Sequence, residues 1–536
     1  MHANLMNKRS NMHKTRLILI LLLGCWTLSA QTHIHITNPN EWTISDLSPY
    51  VGQTVIFDNP MYLVSASTGM IAPHRIYSPT NQARPNSPEY YNICTLNNKC
   101  SVHLSGIKGN HRNGETIYQL TAKINSPTSI QWVSGTWRGN SRQDLIDHLP
   151  NVDIKGQHRL LVCAMNLEYY IIKNFDSEKG PRSTSEHEKQ QAKVSAALSR
   201  INADLYGIVE VQNCDSAMQE LANDLSSNTG RGYAIIEEGG GCNDTYTKSS
   251  FIYDSAKLRP VSAIQAIDVG SIQNRMKMIA FEEISTGEKF IYSINHFKAK
   301  SGSGGGDNAD LGDGQGSFNG TRIKEARAVI SKYNKFKVAL QETDVLFMGD
   351  LNAYGKEDPI VEFLSNNMLD LHRSFHADSS YSYTYHEEVG YLDHAICNES
   401  LFPQVTGMAA YHINSDEDDN YTYNRSNDRT MFRSSDHDPV LVGLCLDSTL
   451  TYKSDVAINS INVYRGESSI TINNILQTND PNAKSFYAIY TIDGRLLEQL
   501  PITYSGQSFA TPAHAGVYIV MVYDGGKVHN FRIIVP

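Results

Sequence analysis

Basic residues are in short supply in this chain. Its 536 residues include 46 Lys and Arg against 56 Asp and Glu, which gives a formal net charge of −10 at pH 7. Proteins that hold nucleic acid by bulk electrostatic attraction are usually basic, so the composition argues against that mode of binding. Any chemistry on a phosphate must therefore rest on a local site, in which a metal cation lies between an acidic protein and an acidic substrate.

Long apolar runs are also absent, with one short exception near the N-terminus. Residues 17–25 read LILILLLGC, follow four basic residues and precede the small-residue sequence LSA. This pattern is typical of a signal peptide over residues 1–30 that is cleaved after Ala30, and the run is too short to cross a bilayer comfortably. The alternative is a lipoprotein signal in which Cys25 is lipidated. We expect a secreted or cell-surface protein whose mature chain has no integral membrane segment.

Cysteine is scarce, with eight residues in the whole chain, and cleavage after Ala30 would remove Cys25 and leave seven. Export permits disulfides, and an odd number predicts at least one free thiol. Cys94 and Cys100 are close enough in sequence to close a loop. Cys214 and Cys242 each lie in a polar loop after a strand-like run, and the pairing stays open at this point.

Composition changes along the chain divide the remainder into three parts. Residues 31–150 contain short strand-like runs broken by turn residues, which predicts a small all-β N-terminal domain, with a barrel-like arrangement as one form. In residues 158–447 strand-like runs alternate with amphipathic helical stretches, which predicts an α/β layered domain. Residues 456–536 return to strand-like runs around Asp-Gly turns and predict a small β-sandwich-like tail.

Polar side chains in the α/β segment fall at the ends of strand-like apolar runs. Each one alone is typical of a turn or a cap, but together they predict a site. Carboxylates among apolar residues cost several kcal/mol unless a cation or a proton compensates them. Oxygen-rich sites without sulfur suit Mg²⁺, Mn²⁺ or Ca²⁺ rather than zinc. The residues at these run ends are Asn166, Glu210, His296, Asp350, Asn352, Asp393, Asp436 and His437.

Six short motifs carry these residues in order: AMNLE, GIVEVQN, SINHFKAK, MGDLNAY, GYLDHAI and SSDHDPV. Over residues 158–447 they resemble the endonuclease/exonuclease/phosphatase superfamily, which includes pancreatic deoxyribonuclease, exonuclease III-type repair nucleases and bacterial sphingomyelinases. The resemblance implies a four-layered α/β sandwich with the active site at one edge of two packed sheets. It also implies metal-dependent hydrolysis of a phosphodiester bond.

The resemblance assigns three residues to the metal. Glu210 is similar to the main metal carboxylate of the superfamily, and Asn166 to an amide that orients the metal or the phosphate. Asp436 is expected to serve the same metal centre. Mg²⁺ or Mn²⁺ is the expected ion, with Ca²⁺ as an alternative.

Five further residues are expected to be catalytic on the same grounds. His296 resembles the histidine that contacts the scissile phosphate or protonates the leaving oxygen. Asp350 resembles the acid that positions or deprotonates the attacking water, and Asn352 its phosphate-contacting neighbour. His437 resembles the second catalytic histidine, and Asp393 the carboxylate that orients it.

Two insertions resemble those of bacterial extracellular nucleases, at residues 300–322 and 412–438. The first is Gly-rich and acidic, and it predicts either a calcium site, a mobile flap or a plain solvated loop. Lys298 and Arg322 flank the site and are expected to hold substrate phosphates as point charges. The calcium ligands would be Asp307, Asp310 and Asp313.

The tail resembles the C-terminal sorting domain of the type IX secretion system, which implies secretion machinery as a partner; a small adhesive β-domain is the alternative.

We therefore expect a secreted, monomeric, metal-dependent nuclease that cuts DNA with little sequence specificity, with RNA as an open alternative substrate. Two other hypotheses remain, a sphingomyelinase-like phosphodiesterase and a non-catalytic cell-surface binding protein. The polar character of both insertions argues against docking to a lipid surface.

Overall fold

In the computed structural model the described residues are 32–154, 159–175, 179–243, 246–270 and 274–447, with shorter stretches of the tail at 462–465, 469–473, 486–491, 495–502, 507–510, 512, 516–524 and 527–535. The predicted signal peptide, including Cys25, lies outside the described residues. The chain is mixed α/β and contains several separate sheets. Among the described residues, none of the helices combines the length and the apolar character that a bilayer crossing needs.

The N-terminal part forms one sheet of seven strands with three short helices. Strands β6, β3, β4, β5 and β7 pair in that sequence and β7 pairs again with β6, so this path of strands closes on itself around an apolar core. The helices lie in the connections between strands and after the last strand. The elements are β1 (Thr32–Ile34), β2 (Thr54–Phe57), β3 (Met61–Ser65), β4 (Met70–Ala72), α1 (Pro79–Gln82), α2 (Pro88–Asn97), β5 (Val102–Ser105), β6 (Thr116–Ser126), β7 (Ser129–Arg138) and α3 (Arg142–Asp147).

The middle part contains two large sheets and a two-stranded hairpin. The first large sheet has the order β10-β11-β9-β8-β22-β21, and the second has the order β12-β14-β15-β16-β20-β17 with β13 paired to β14. The elements are β8 (Leu160–Tyr170), α4 (Thr184–Ile201), β9 (Leu205–Gln212), α5 (Asp215–Thr229), β10 (Tyr233–Ile235), β11 (Thr247–Asp254), β12 (Leu258–Pro260), β13 (Gln265–Ala266), β14 (Met276–Glu283), β15 (Lys289–His296), α6 (Asn319–Leu340), β16 (Val345–Asp350), α7 (Asp358–Leu364), β17 (Met368–Asp370), α8 (Leu371–His376), β18 (Tyr383–Tyr385), β19 (Glu388–Gly390), β20 (Asp393–Asn398), β21 (Val405–Ala410) and β22 (Val440–Leu444).

Apolar side chains on both faces of the central strands explain how the two sheets pack. All eight residues of β9 are buried, as expected for a strand covered on each side. One apolar cluster joins the facing surfaces of the two sheets and includes Val209 and Ile294. A second cluster packs α4 and α5 on the outer face of the first sheet, and a third packs α6 and α7 on the outer face of the second.

The tail consists of two small sheets in its described stretches, with the orders β23-β24-β27 and β26-β25-β28-β29. Their apolar side chains, among them Tyr487 and Val520, form one shared cluster. The strands are β23 (Asn462–Arg465), β24 (Ser469–Asn473), β25 (Phe486–Thr491), β26 (Leu496–Pro501), β27 (Gln507–Ala510), β28 (Gly516–Asp524) and β29 (Lys527–Val535).

One disulfide is present in the described part of the chain, between Cys214 and Cys242. It ties the start of α5 to the loop before β11. Cys94 and Cys100 are both free, so the short loop between them is not closed by a disulfide. Cys163 is a buried free thiol, and burial raises its pKa well above the usual range.

Candidate active site

Three adjacent strands of the second sheet place a histidine and two aspartates in one row. His296 at the end of β15 pairs with Asp350 at the end of β16, and Asp350 pairs with Asp393 at the start of β20. Gly349 directly before Asp350 has φ +117°, and a Cβ atom there would lie 2.1 Å from the carbonyl oxygen of Asn295. Only glycine fits this approach, so the strand end that carries Asp350 is fixed by its neighbour.

The edge of the first sheet faces this row and contributes an amide and a carboxylate. Asn166 in β8 donates from Nδ2 to Oδ2 of Asp350 over 3.1 Å. Glu210 in β9 has its Oε1 3.4 Å from Nε2 of His296, and its Oε2 accepts from the main-chain N–H of Tyr169 over 3.0 Å. The φ of Glu210 is +61°, which is strained for a residue other than glycine, and such strain concentrates at functional sites.

His437 is oriented by a carboxylate. Its Nδ1 lies 2.8 Å from Oδ2 of Asp393, and its Nε2 lies 3.9 Å from Oδ2 of Asp350 and 3.9 Å from Oδ2 of Asp436. On the other side of Asp350, Nε2 of His296 lies 3.7 Å from the same Oδ2 atom. One carboxylate therefore lies between two imidazoles, and a second carboxylate fixes the ring of one of them.

Asn352 completes the surroundings of Asp350. Its main-chain N–H donates to Oδ1 of Asp350 over 2.8 Å, and its Nδ2 donates to Oδ2 over 3.1 Å. The φ of Asn352 is +48°, which turns the side chain back toward the preceding aspartate. Asp350 is thus held by two side-chain amides, from Asn166 and Asn352.

Burial favours the neutral forms of two acids of the site, Glu210 and Asp350. Burial, followed by the nearby charges of Asp436 and Asp350, raises the pKa of Glu210 to about 7. Burial is also the main reason that the pKa of Asp350 rises to about 6, while the charge of His437 opposes the shift and Asp393 adds to it. Negative charge is therefore crowded here beyond what the protein itself neutralises.

The two histidines have opposite electrostatic surroundings. Burial by itself would lower the pKa of His437, but the adjacent carboxylates of Asp393, Asp436 and Asp350 outweigh it and raise the pKa well above 6.5. Burial lowers the pKa of His296 well below 6.5, and the charge of Arg275 adds to this shift. At neutral pH His437 is therefore protonated and His296 is neutral.

The donor set fits a hard divalent cation. Asp350, Asp393 and His437 each offer a ligand atom within 4.8 Å of the other two. Oδ2 of Asp393, however, already accepts hydrogen bonds from His437 and from a serine hydroxyl, so it suits orienting the imidazole better than binding an ion. Glu210 and Asp436 are the carboxylates that would hold the cation, because it would compensate the burial and the nearby negative charges of Asp436 and Asp350 that raise the pKa of Glu210.

Arg322 has a different role from the one the sequence predicted. The side chain is fully buried, and its guanidinium donates to the main-chain carbonyls of Lys298 over 3.1 Å, Ser317 over 2.8 Å and Gln315 over 2.5 Å. It braces the Gly-rich loop against the end of β15, and its complete burial leaves no exposed surface for a phosphate. Lys298 is only partly buried, with Nζ 4.2 Å from the ring centroid of Phe318, and remains at the rim of the site.

The aspartates of the Gly-rich loop do not form the expected calcium site. Asp313 is buried and accepts hydrogen bonds from the main chain and the side chain of Gln315, whereas Asp307 and Asp310 are exposed. Across the described ranges, one group of three acidic or histidine side chains is close enough to hold an ion: Asp350, Asp393 and His437. We call the sheet edge that carries this group the catalytic edge. The spacing of the acids suggested convergence, but the path of the loop separates them.

Two residues at the site were missed in the sequence. Glu168 follows Asn166 by two positions, has φ +52°, and has a pKa that burial, with the charge of Asp436, raises to about 8. Its place in the AMNLE motif was the available signal. Arg275 has a side-chain nitrogen 2.7 Å from Nδ1 of His296, but nothing in its local sequence distinguishes it from a surface arginine.

Arginines of the N-terminal part reach the loop that precedes His437. A terminal guanidinium nitrogen of Arg75 lies 2.8 Å from Oδ1 of Asp416, whose side chain is fully buried. Arg112 and Arg142 both form ion pairs with Glu417, whose side chain is also fully buried. The two acids of the sequence INSDE are therefore internal anchors between two parts of the chain.

The anchored loop is bonded in turn to the catalytic edge. Asp438 accepts from the main-chain N–H groups of Asn414 and Ser415, each over 2.9 Å, and so has a structural role in the turn. Nδ2 of Asn414 donates to the carbonyl oxygen of His437 over 2.6 Å. His437 is thus fixed at its ring by Asp393 and at its main chain by the loop that the arginines hold.

Comparison with known proteins gives structural neighbours only: no family model matches the sequence, and no curated protein was found to be similar. An endonuclease/exonuclease/phosphatase from Bacteroides vulgatus is 16% identical with a TM-score of 0.36, over 54% of this chain and 99% of that one. A mannosyl-6-phosphatase from Bacteroides thetaiotaomicron is also 16% identical with a TM-score of 0.36, over 54% and 100%. TDP2 of D. rerio, complexed with single-strand DNA product, is 15% identical with a TM-score of 0.36, over 54% and 99%. At these values the likeness carries no argument about the reaction.

Proposed function

We propose that the chain is a secreted, divalent-metal-dependent nuclease that hydrolyses phosphodiester bonds of DNA with little sequence specificity. The observation that supports this most directly is the carboxylate of Asp350, which lies within 4 Å of Nε2 of both His296 and His437. A base flanked by two acid–base groups is what hydrolysis of a phosphoester needs, because water must lose a proton while the leaving oxygen gains one. RNA is the alternative substrate.

The surroundings of each side chain assign its part. Asp350, with a pKa of about 6, is deprotonated near neutral pH and takes the proton of the attacking water. His437, held protonated by Asp393, donates from Nε2 to an oxygen of the reacting phosphate. His296, neutral and next to Arg275, contacts the phosphate from the opposite side of Asp350.

A divalent cation bound by Glu210 and Asp436 would neutralise the negative charge that develops on the phosphate. Mg²⁺ or Mn²⁺ is the proposed ion, with Ca²⁺ as an alternative. Asn166 and Asn352 keep Asp350 in place when the site is loaded, since both amides bond its Oδ2 atom.

The test is hydrolysis of plasmid DNA by the purified protein with Mg²⁺, Mn²⁺ or Ca²⁺ and with EDTA. His296→Ala should lower the rate by about 10²–10⁴-fold, because a general acid or phosphate contact is lost. His35→Ala, at a side chain that is 70% exposed in the N-terminal part, is the matched control and should cut at the parent rate. Parent-level cutting by folded His296→Ala would refute the role of this histidine.

Further substrates separate the competing functions. A sphingomyelinase-like enzyme would hydrolyse sphingomyelin vesicles and leave DNA intact, and a non-catalytic binding protein would show no EDTA-sensitive hydrolysis of either. Circular and linear DNA distinguish cutting within the strand from cutting at its ends. Hydrolysis of DNA with no effect of EDTA would refute the metal requirement.

The proposals on export concern segments that lie mostly outside the described residues. Residues 1–30 would be removed as a signal peptide, residues 456–536 would engage type IX secretion machinery, and the mature enzyme would be a monomer at the cell surface or in the medium. Mass spectrometry of the protein recovered from culture medium tests the removal of residues 1–30 and the export of the chain. A full-length chain retained inside the cell would contradict them.

A further inference from the structure

A cleft of about 680 Å³ lies directly beside the catalytic edge. One of its lining residues, Asn352, belongs to the site already described, and a second, Tyr383, contacts that site. Asn352 donates to Asp350, and the ring of Tyr383 packs on the imidazole of His437 with a centroid distance of 4.6 Å. A group bound in the cleft would therefore be adjacent to a phosphate bound at the site.

The cleft has walls from two parts of the chain that are fixed to each other. Thr80 in α1 and Tyr90 in α2 form one wall, and the Gly-rich loop forms another. Gly314 of this loop has φ +85°, and a Cβ atom there would lie 2.8 Å from Cγ2 of Thr80 and 2.9 Å from the hydroxyl of Tyr90. Because Arg322 also braces the loop, the width of the cleft is set by packing on both sides.

The chemistry of the lining suits an uncharged aromatic group. Tyr354, Tyr383 and Tyr385 present rings to the cleft, and the side chain of Tyr385 is 58% exposed. The charged groups near them are unfavourable for a second phosphate, since Asp310 and Glu388 are acidic. The one lysine among the described lining residues forms an ion pair with a glutamate.

We propose that this cleft binds the nucleoside next to the scissile phosphate, with its base stacked on Tyr385, and that the enzyme consequently prefers single-stranded nucleic acid. This inference rests on the proposed nuclease function. The volume is that of a site for one small ligand, so a base of a duplex would have to leave its stack to enter. In a single strand that cost is small, and stacking on an aromatic side chain does not depend on sequence.

The test uses the full-length protein and a DNA hexanucleotide in which one phosphodiester is flanked by uncleavable methylphosphonates. Tyr385→Ala should lower kcat/KM on this substrate by about 5- to 100-fold, the value of one base–aromatic stack. Tyr385→Trp should retain activity because the ring is kept. Tyr118→Ala, at a 39% exposed tyrosine in β6, is the control and should match the parent.

An abasic substrate identifies the group in the cleft. Replacing the base on one side of the cleavable bond by tetrahydrofuran should lower the parent rate by the same factor, and Tyr385→Ala should then cause no further loss. The parent should also cut the hexanucleotide faster alone than in a duplex. Three results would each overturn the inference: losses from the abasic site and from Tyr385→Ala that multiply, an unchanged rate for Tyr385→Ala, or equal rates on single strand and duplex. In each case, DNA cutting by the parent would leave the proposed function intact. A parent that cuts no nucleic acid would overturn both.

Discussion

Replacing Arg75 by methionine should lower the free energy of unfolding by about 3–5 kcal/mol, because the carboxylate of Asp416 would stay buried without its cationic partner. The side chain of Asp416 is 0% exposed and that of Arg75 is 14% exposed, so water cannot take over the role of the guanidinium. Two hydrogen bonds to Asp416 would remain, from Asn140 and from the hydroxyl of Tyr381, both over 2.8 Å. Both donate to Oδ2, so Oδ1 would lose the hydrogen bond from Arg75, and neither donor supplies positive charge.

The size of this effect should depend on pH. Burial would raise the pKa of Asp416, but the charge of Arg75, helped by His412 and Arg112, keeps it below 3.8. In the parent the carboxylate therefore stabilises the fold above this value, and the contribution is lost as pH falls through the lowered pKa. Without Arg75 the pKa of Asp416 rises, so the deficit of the variant should be largest at neutral pH and shrink as the acid becomes protonated.

Urea unfolding measures both effects. Trp42, Trp132 and Trp137 all lie in the N-terminal part, so their fluorescence reports the unfolding of the part that contains Arg75. The double variant Arg75→Met/Asp416→Asn should lose about 2 kcal/mol less unfolding free energy than the sum of the two single losses.

The control for a solvent-exposed pair is Arg84→Met. The side chain of Arg84 is 55% exposed and lies 3.7 Å from Asp358, so its loss should cost at most about 1 kcal/mol. An equal cost for Arg75→Met and Arg84→Met, or a cost that does not change between neutral and acidic pH, would refute the reasoning.

Three further predictions concern the site and its support. The Mg²⁺ concentration for half-maximal activity should rise as pH falls, because the cation must displace the proton of Glu210, whose pKa is about 7; a constant requirement would contradict this. Asp393→Asn should lower kcat by up to about 10⁴-fold with little change in KM, since the imidazole it orients is lost to catalysis, and steady-state kinetics with less than a threefold change would exclude that role. Replacing Cys214 and Cys242 together by serine should lower the free energy of unfolding by about 3–4 kcal/mol for a sequence separation of 28, as measured by denaturant unfolding; an unchanged midpoint would show that the disulfide adds nothing.

Much of the candidate site follows from local sequence patterns. A buried strand ends where a polar residue follows its apolar run, and strands that pair bring such ends together. This is why His296, Asp350 and Asp393 lie in one row although nearly 100 residues separate the first from the last. Asn166 and Glu210 lie close to that row because the two sheets pack together. The sequence predicted this packing only through the resemblance to a known superfamily.

Local sequence patterns could not predict contacts between segments that are far apart in the chain. Arg322 lies in the first turn of α6, and the local sequence gives no sign that three main-chain carbonyls surround its guanidinium. Arg75 and Asp416 are 341 positions apart and share no periodicity that would mark them as partners. The aspartates of the Gly-rich loop show the reverse case. They are close in sequence, which predicted a shared calcium site, but they do not form a group close enough to hold an ion.

The long-range ion pairs also set an order on assembly. The β-core before residue 150 can close from its own strands, but Arg75, Arg112 and Arg142 meet their partners only after residues 416 and 417 have been synthesised. Closing so large a loop is slow, and the segment that carries the second histidine is the last of the middle part to emerge. A chain that ends before residue 416 would therefore contain Asp350 without the loop that fixes His437, and under the proposed function such a chain would be inactive.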